Sequence, residues 1–270
     1  MTDKKKALIN KERYDFADLC DVMEILRAPG GCPWDMEQDH KSIRENLIEE
    51  TYEVVEAIDT DDKTLMCEEL GDVLMQVVFH AEIEKEQGGF TMEDITTGVC
   101  QKLIYRHPHV FADTVADTSD AVLVNWEKLK NAEKHRDTVT DSLRSVPKQY
   151  PALLRAQKVG KKAAKVGFDF ASAEDAAKKI TEETAELLSA AEEDRFEELG
   201  DLLFAVVNTA RQYGISAEEA LAKATDKFIS RFAEVEDGVL ADGKNMAELS
   251  LAELDAYWDA AKMRKNSKNN

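Results

Sequence analysis

The sequence predicts an all-α protein made of two tandem helical domains, and three observations support this fold class. The 270 residues include only 12 Gly and 5 Pro, while the helix-favouring residues Ala, Leu, Glu and Lys are abundant. Apolar residues recur at intervals of three and four, and no segment shows the alternation that is typical of a strand. An acidic pattern that begins at Glu49 is repeated from Glu182, 133 residues later, which favours two domains.

In the first half, Pro29-Gly30-Gly31 ends the first periodic segment, and a polar turn at 60–62 separates two longer helices. Ser42, with Glu45 three positions later, predicts a capping box at the start of the acidic helix. The next helix, 63–87, is apolar on nearly every side in its middle and should be the most buried of this half. The predicted helices cover residues 16–26, a segment from near Ser42 to 58, 63–87, 92–105 and 119–136.

The segment 137–151 contains Pro147 and Pro151 and shows little periodicity. It is therefore predicted to be a linker between an N-terminal domain, 12–136, and a C-terminal domain, 152–265. The second half repeats the order of the first, with an acidic helix followed by an apolar one. Its predicted helices cover residues 152–166, 174–191, 195–213, 217–237 and a last segment that contains Trp258.

Each half contains two pairs of acidic residues, and the members of each pair are three positions apart. On a helix this spacing is about 300° of rotation, so both members project from nearly one face. Two such helices packed antiparallel would bring four carboxylates to one point, and like charges held that close require a cation. Hard oxygen ligands in this number suit Mg²⁺, with Mn²⁺ as an alternative. The pairs are Glu50 with Glu53, Glu69 with Asp72, Glu183 with Glu186, and Glu198 with Asp201.

Basic and aromatic residues follow the acidic pairs in the same order in both halves. Two cations spaced i,i+4 share one helix face, and a tryptophan follows them. This order predicts a divalent-cation site, a clamp for phosphate oxygens and an aromatic surface for a base. The residues are Lys102, Arg106 and Trp126 in the first half, and Lys227, Arg231 and Trp258 in the second.

This set of motifs resembles the MazG family of nucleoside triphosphate pyrophosphohydrolases, within the all-α NTP pyrophosphohydrolase superfamily. The family motif E-E-x-x-E followed by E-x-x-D occurs in both halves. The segments Gly31-Cys32-Pro33-Trp34-Asp35 and 106–111 are similar to the family's N-terminal domain, and 166–169 and 227–232 to its C-terminal domain. The resemblance covers roughly residues 15–262, and it implies two tandem four-helix-bundle-like MazG domains.

The resemblance implies Mg²⁺-dependent hydrolysis of NTPs and dNTPs at the α-phosphorus, which yields a nucleoside monophosphate and pyrophosphate. The eight paired carboxylates would ligate the metal, and Glu49 or Glu182 would orient the attacking water. The Lys and Arg pairs would neutralise phosphate charge, with Lys179 as a further phosphate contact, and the tryptophans would pack on the base. The first half has Asn46 where the second has Lys179, which favours the second half as the active one.

The resemblance also implies a homodimer, and the apolar helices of each half are too few and too short to enclose a nucleotide alone. The net charge of −20 argues against binding to a nucleic-acid polymer, because no basic excess is present to displace counterions. No apolar run approaches the roughly 20 residues that span a bilayer. Four scattered cysteines without a C-x-x-C pair favour the reducing cytoplasm.

A rival hypothesis from another class stays open at this level. In it, the acidic helices belong to a non-catalytic regulatory protein that senses nucleotides or binds a partner. A third hypothesis combines the two, with one catalytic half and one degenerate half. The sequence gives no preference for a particular base or sugar.

Overall fold

The computed structural model describes residues 3–114, 116–134 and 137–268. These residues form fourteen α-helices and one 3₁₀ helix, and no strand occurs among them, which confirms the predicted all-α class. The chain divides into two compact units, the first ending at Lys130 and the second beginning at Asn131. The predicted end of the first domain, residue 136, lies outside the described residues. No helix in the described part has the length and apolarity that a membrane span requires.

The first unit is built around an antiparallel hairpin of two long helices, α4 and α5, which a short turn joins. Asp62 begins α5 by accepting hydrogen bonds from the backbone N–H groups of Thr64 and Leu65, a typical helix cap. Helices α2 and α6 both pack against α5. The helices are α1 (Asp3–Ile9), α2 (Phe16–Arg27), α3 (Pro33–Glu37), α4 (Arg44–Asp59), α5 (Lys63–Glu86), α6 (Met92–Arg106), α7 (Pro108–Phe111) and α8 (Ser119–Glu133). The last residues of α8, from Asn131 on, belong to the second unit.

The core of the first unit lies where α2 meets α5. Helix α5 has six buried residues, more than any other helix of this unit, so the prediction that it is the most buried helix is confirmed. Burial of a large apolar side chain contributes roughly 1.5–3 kcal/mol, so this seam supplies much of the stability. The buried core residues are Met23, Ile43, Val78, Phe79 and Ile83.

The capping box predicted at Ser42 is wrong. Helix α4 begins one residue later, after Ile43, and no side chain caps it. Ser42 bonds instead with Asp39: the Asp39 carboxylate accepts from the Ser42 backbone N–H at 2.8 Å, and the Ser42 hydroxyl accepts from the Asp39 N–H at 2.9 Å. Asp and Ser both form such local turns readily. The next residue, the apolar Ile43, is only 1 % exposed and precedes the first residue of α4.

The second unit repeats the central hairpin with α11 and α12. Helix α10 packs on α12 as α2 packs on α5, and α13 pairs with α14 around Val235, Val239 and Ala261. The elements are α9 (Val139–Arg144), α10 (Ala152–Ala164), α11 (Ala173–Ser189), α12 (Arg195–Gln212), α13 (Ala217–Ala241), a 3₁₀ turn (Met246–Glu248) and α14 (Leu251–Lys268).

The segment 137–151, predicted to be a linker, contains helix α9, which packs on α10. Thr138 and Asp141 form a capping box at its start, and Val146 is buried just after its end. The Lys162 ammonium of α10 donates to the Ser142 hydroxyl at 2.9 Å. These contacts attach the segment to the second unit.

A buried arginine holds α2, α5 and the loop after α3 together. Arg27 forms a two-pronged ion pair with Glu86, with both N–O distances at 2.8 Å. Its guanidinium also donates to the backbone carbonyls of Asp35 and Gln38 and lies 5.2 Å above the Phe79 ring. Such planar, two-pronged contacts are specific to arginine.

We expect Arg27→Met to lower the free energy of unfolding of the first unit by about 2–3 kcal/mol. The change leaves two backbone carbonyls and one carboxylate without their donor, and the partial exposure of Glu86 limits the loss. Urea unfolding followed by circular dichroism measures it. Arg44→Met is the control: that side chain is 70 % exposed, so its loss should stay below about 0.5 kcal/mol. Equal losses in the two variants would contradict the role of Arg27.

Candidate active site

The hairpin of α4 and α5 brings the predicted acidic residues of the first half together. Glu50, on α4, and Glu69 and Asp72, on α5, each place one carboxylate oxygen within 4.8 Å of the other two. Glu53 contributes to the raised pKa of both Glu50 and Glu69, so it lies beside this group. The first hairpin thus gathers three of its four predicted ligands in the close group and has the fourth next to them, as the i,i+3 spacing on two facing helices favours.

Among the described residues, no lysine or arginine forms an ion pair with the carboxylates of this first cluster, and every neighbouring charge that acts on Glu50 and Glu69 is negative. Burial raises the pKa of Glu50, and the neighbouring charges of Asp72 and Glu53 raise it further. Burial likewise raises the pKa of Glu69, followed by the charge of Glu53. Both shifts have the direction expected of carboxylates forced together without a counter-charge. The donor set, which consists only of carboxylate oxygens, fits a hard divalent cation.

The second hairpin forms a similar cluster from α11 and α12. Glu183, Glu186 and Glu198 each place one oxygen within 4.8 Å of the other two. Glu183 is only 6 % exposed. Asp201 is exposed on α12 and is not a member of this group. The second half thus gathers three of its four predicted ligands.

A lysine partly neutralises the second cluster. The Lys179 ammonium lies 2.7 Å from a Glu182 oxygen and 2.8 Å from a Glu183 oxygen. The hydrogen bond from Lys179 lowers the pKa of Glu183, and the hydrogen bond to Glu183 raises the pKa of Glu186. The bonds to Glu182 and Glu183 raise the pKa of Lys179 well above its usual range. The two hairpins thus share a geometry but differ in charge.

The two residues predicted to orient water lie beside the clusters. Glu49 is exposed on α4, where its charge contributes to the raised pKa of Glu50. Glu182 is exposed on α11 and bonded to Lys179. Neither belongs to the groups of close carboxylates.

The predicted phosphate clamps and aromatic surfaces contact each other. The Arg106 guanidinium lies 5.1 Å above the Trp126 ring and is 5 % exposed. In the second half, the Arg231 guanidinium lies 5.8 Å above the Trp258 ring. From the sequence, arginine and tryptophan are predicted to have separate roles, and this stacking is not predicted. The signal for it is the repeat, because an arginine is followed by a tryptophan in both halves and such residues form cation–π pairs.

The remaining predicted residues are placed as follows. Lys102 is half-buried on α6 and Lys227 is exposed on α13. The Trp258 ring also packs against Phe228, with 5.1 Å between ring centroids. The buried Nε of Arg231 has no hydrogen-bond partner among the described residues, which is unusual for a buried donor.

The fold and these clusters define an all-α protein with two acidic helical hairpins, each suited to hold a divalent metal ion. A model of the MazG nucleotide pyrophosphohydrolase domain matches the chain twice, over residues 38–111 and 171–235. The two matches include the acidic pairs of both hairpins. The chain belongs to the MazG family.

Relatives of similar length support this assignment. A Thermotoga maritima protein named nucleoside triphosphate pyrophosphohydrolase/pyrophosphatase MazG is 44% identical over 248 residues, which cover 92% of this chain and 95% of the relative. An Escherichia coli protein named nucleoside triphosphate pyrophosphohydrolase is 43% identical over 251 residues, 90% of this chain and 95% of its own. The Bacillus subtilis protein YabN, uncharacterized, is 45% identical over 254 residues, 92% of this chain but 52% of its own.

We expect each acidic cluster to bind Mn²⁺ independently, so titration calorimetry should resolve two sites. Glu69→Gln should remove the first and Glu183→Gln the second, because each substitution deletes a central charged ligand. Because the pKa of Glu69 is raised by folding, its ionised form destabilises the metal-free protein above that pKa. Glu69→Gln should therefore raise the melting temperature of the metal-free protein at neutral pH.

The matched control is Glu192→Gln, an exposed acid outside both clusters. It should leave both Mn²⁺ sites and the melting temperature unchanged. If it reduced binding as strongly as Glu183→Gln does, the ion would be held by the general negative charge of the surface and not by the clusters.

Proposed function

We propose that this protein hydrolyses nucleoside triphosphates and deoxynucleoside triphosphates at the α-phosphorus, releasing a nucleoside monophosphate and pyrophosphate. We assign turnover mainly to the second half. The observation that carries this assignment is the contact of Lys179 with Glu183, one of the three converging carboxylates. Within the part of the chain that the structure describes, only this half combines, in one hairpin, a carboxylate cluster with a lysine that a triphosphate can recruit. The names of the full-length relatives support the reaction.

The carboxylate clusters would hold Mg²⁺, with Mn²⁺ as a substitute. In the second half the ligands would be Glu183, Glu186 and Glu198, with Asp201 available one turn along α12. In the first half they would be Glu50, Glu53, Glu69 and Asp72. When bound, the metal supplies positive charge to the triphosphate oxygens and lowers the pKa of a coordinated water.

Cationic side chains of the second half would bind the phosphates. Lys179 is held at the rim of the cluster by Glu182 and Glu183, so a triphosphate oxygen competes with these carboxylates for its ammonium. Lys227 and Arg231 share one face of α13, which packs on α12. The Arg231 Nε–H, buried and unpartnered among the described residues, is suited to donate a hydrogen bond to a phosphate oxygen.

We assign Trp258 a positioning role. Its ring lies under the Arg231 guanidinium and against Phe228. A guanidinium held on an aromatic face keeps its N–H edge free for a phosphate.

The chemical step needs a base and a direction of attack. Glu182 is exposed beside the cluster and is the proposed base, with Glu49 at the matching position of the first half. The water gives its proton to Glu182 while its oxygen bonds to the α-phosphorus. The bond between the α-phosphorus and the bridging oxygen breaks, and pyrophosphate leaves with that oxygen. Lys179, Lys227 and Arg231 neutralise the charge that builds on the phosphates.

The first half lacks part of this arrangement. Asn46 stands where the second half has Lys179, and Arg106 is buried against Trp126 instead of being open to a ligand. Its cluster gathers Glu50, Glu69 and Asp72, with Glu53 beside them. We propose that this half binds metal and contributes less to turnover.

Reaction in water enriched in ¹⁸O should place the label in the nucleoside monophosphate and not in pyrophosphate. Glu183→Gln should lower the rate by about 100-fold, whereas Glu69→Gln should leave most of it. Mass spectrometry of the products and a pyrophosphate assay measure both effects. The exposed acid Glu193 provides the control variant, Glu193→Gln. Label in orthophosphate would contradict attack at the α-phosphorus, and full activity of Glu183→Gln would contradict the choice of half.

We further propose that the protein is a homodimer of two-domain chains, with domains at 12–136 and 152–265, that works in the cytoplasm with its four cysteines as thiols. The outward face of α4 supports dimerisation. It carries an apolar stripe whose members are each about half exposed, beside Leu70 and Leu74 of α5. A continuous apolar face on the central hairpin favours an isologous contact with a second copy. The stripe consists of Ile48, Tyr52, Val55 and Ile58.

Val55→Lys, in the middle of this stripe, should convert the dimer to a monomer, because a buried lysine without a partner is costly at an interface. Light scattering after size-exclusion chromatography measures the mass, and circular dichroism should show unchanged helicity. Gln87→Lys adds the same charge at an exposed position after α5 and should leave the dimer intact. A wild-type protein that is monomeric at micromolar concentration would refute the proposed assembly.

A further inference from the structure

A cavity of about 410 Å³ lies in the second unit between α10, α12 and the turn that follows α10. Its walls are mostly apolar, and two phenylalanine rings, Phe168 and Phe170, border it from the turn. Phe168 is 83 % exposed, an unusual position for a large apolar ring. Asn208 of α12 supplies a polar group to the lining.

Large apolar side chains fill the corresponding seam of the first unit. The acidic pairs of α5 and α12 are 129 positions apart in the sequence. By the same interval, Asn208 of α12 corresponds to Phe79 of α5. The glycines in the left-handed conformation that follow α2 and α10, Gly30 and Gly167, are 137 positions apart. These two intervals define the register in which the repeats correspond.

By the interval of 137 positions, Gly160 of α10 corresponds to Met23 of α2. In the first unit Met23 and Phe79 are 2 % and 4 % exposed, and both belong to the core between α2 and α5. In the second unit Gly160 and Asn208 face each other: a Cβ on Gly160 would lie 3.3 Å from Asn208 Oδ1. Two large core side chains are therefore replaced by a glycine and a carboxamide, which opens the seam.

Ion pairs hold the opened seam in shape. The Arg211 guanidinium binds the Asp169 carboxylate of the turn, and Gln212 Nε2 donates to the same carboxylate at 2.7 Å. Arg211 Nε also donates to Asn208 Oδ1 at 2.8 Å. This bond fixes the carboxamide orientation, so the group that Asn208 can offer to a ligand is its N–H₂.

The cavity lies further along α12 from the acidic cluster. Glu198, the member of the cluster on α12, and Asn208 are about 80° apart around the helix, at 100° per residue, and Asp201 lies between them. The rise from Glu198 to Phe204 is about 9 Å. A ligand whose phosphates lie at the cluster can therefore extend its other end into the cavity.

We propose that this cavity binds the nucleobase of the triphosphate, and that Asn208 and Gly160 are specificity-determining residues of the second half. The proposal rests on the pyrophosphohydrolase function proposed above. The flat base stacks against the phenylalanine rings, and the Asn208 N–H₂ donates to an acceptor on the base edge, a carbonyl oxygen or an unprotonated ring nitrogen. Gly160 leaves the room that Met23 occupies in the first unit.

Calorimetry on the full-length protein with Mg²⁺ tests this with two probes: an α,β-imido nucleoside triphosphate, which carries a base, and inorganic tripolyphosphate, which does not. Asn208→Asp keeps the acceptor for Arg211 but removes the donor. It should weaken binding of the nucleotide analogue about tenfold and leave tripolyphosphate binding unchanged. Adenine and cytosine analogues should lose least, because their amino groups can donate to the new carboxylate.

Gly160→Met, which refills the seam as Met23 does, should abolish the preference for the nucleotide analogue over tripolyphosphate. Gly98→Met is the matched control, because a Cβ at Gly98 meets nothing within 4 Å. Asn208→Asp keeps the test decisive should Gly160→Met fail to fold.

Unchanged analogue binding in both seam variants would overturn the base site, as would an equal loss of both probes in Asn208→Asp. If the variants lost dimerisation and kept nucleotide affinity, a second copy of the chain and not a base would occupy the seam. Wild-type protein that binds tripolyphosphate but not the analogue would also overturn the base site. Wild-type protein that binds neither probe would refute the proposed function itself.

Discussion

The convergence of like charges on two packed helices is the constraint on which the rest of this molecule depends. Each hairpin must bury part of a carboxylate group that water would otherwise solvate, and burial of unpaired charge opposes folding. The two halves reduce this cost differently. In the first, the pKa values of Glu50 and Glu69 are raised, so the cluster favours protons. In the second, Lys179 binds Glu183 and lowers its pKa. Both solutions are incomplete, and a divalent cation held at either cluster would relieve the repulsion that remains there.

The scaffold around the hairpins offsets this cost. The seam between α2 and α5 packs Met23, Val78 and Phe79 away from water, and Arg27 ties three elements of that unit through its ion pair and backbone contacts. In the second unit the turn after α10 is held by Arg211 and Gln212 on Asp169. These contacts hold the helices that flank each hairpin in place, which a preorganised site requires. The clusters bring like charges together, which opposes folding, whereas the packing that supports them buries apolar side chains and pairs its charges.

The helices and acidic clusters were predictable from the sequence because both depend on local spacing. Apolar periodicity and glycine or proline punctuation gave most helix limits to within a few residues, and i,i+3 pairs gave the convergent carboxylates. What failed depended on competition or on packing. Ser42 prefers a turn with Asp39 to a cap, and α9 is only 6 residues long, too short to show a period. Three further features depend on which helix faces pack together, and the sequence of one chain does not specify this packing. They are the separation of Asp201 from the close group, the stacking of Arg106 on Trp126 and the cavity beside Gly160.

The difference between the two seams gives the duplicated hairpin two distinct capacities. A helix pair can present carboxylates to a metal whether or not its neighbour leaves an opening, so both halves retain the cluster. Selective binding of a nucleotide needs more: a cation near the phosphates and a space for the base in the same hairpin. In the first unit, Phe79 fills that space and Asn46 stands at the lysine position. In the second, Asn208 and Lys179 occupy the corresponding positions on the two helices of one hairpin. Because one change opens the seam and the other supplies charge, neither is sufficient alone, and their occurrence together in one half places the proposed base site and the proposed turnover in the same hairpin.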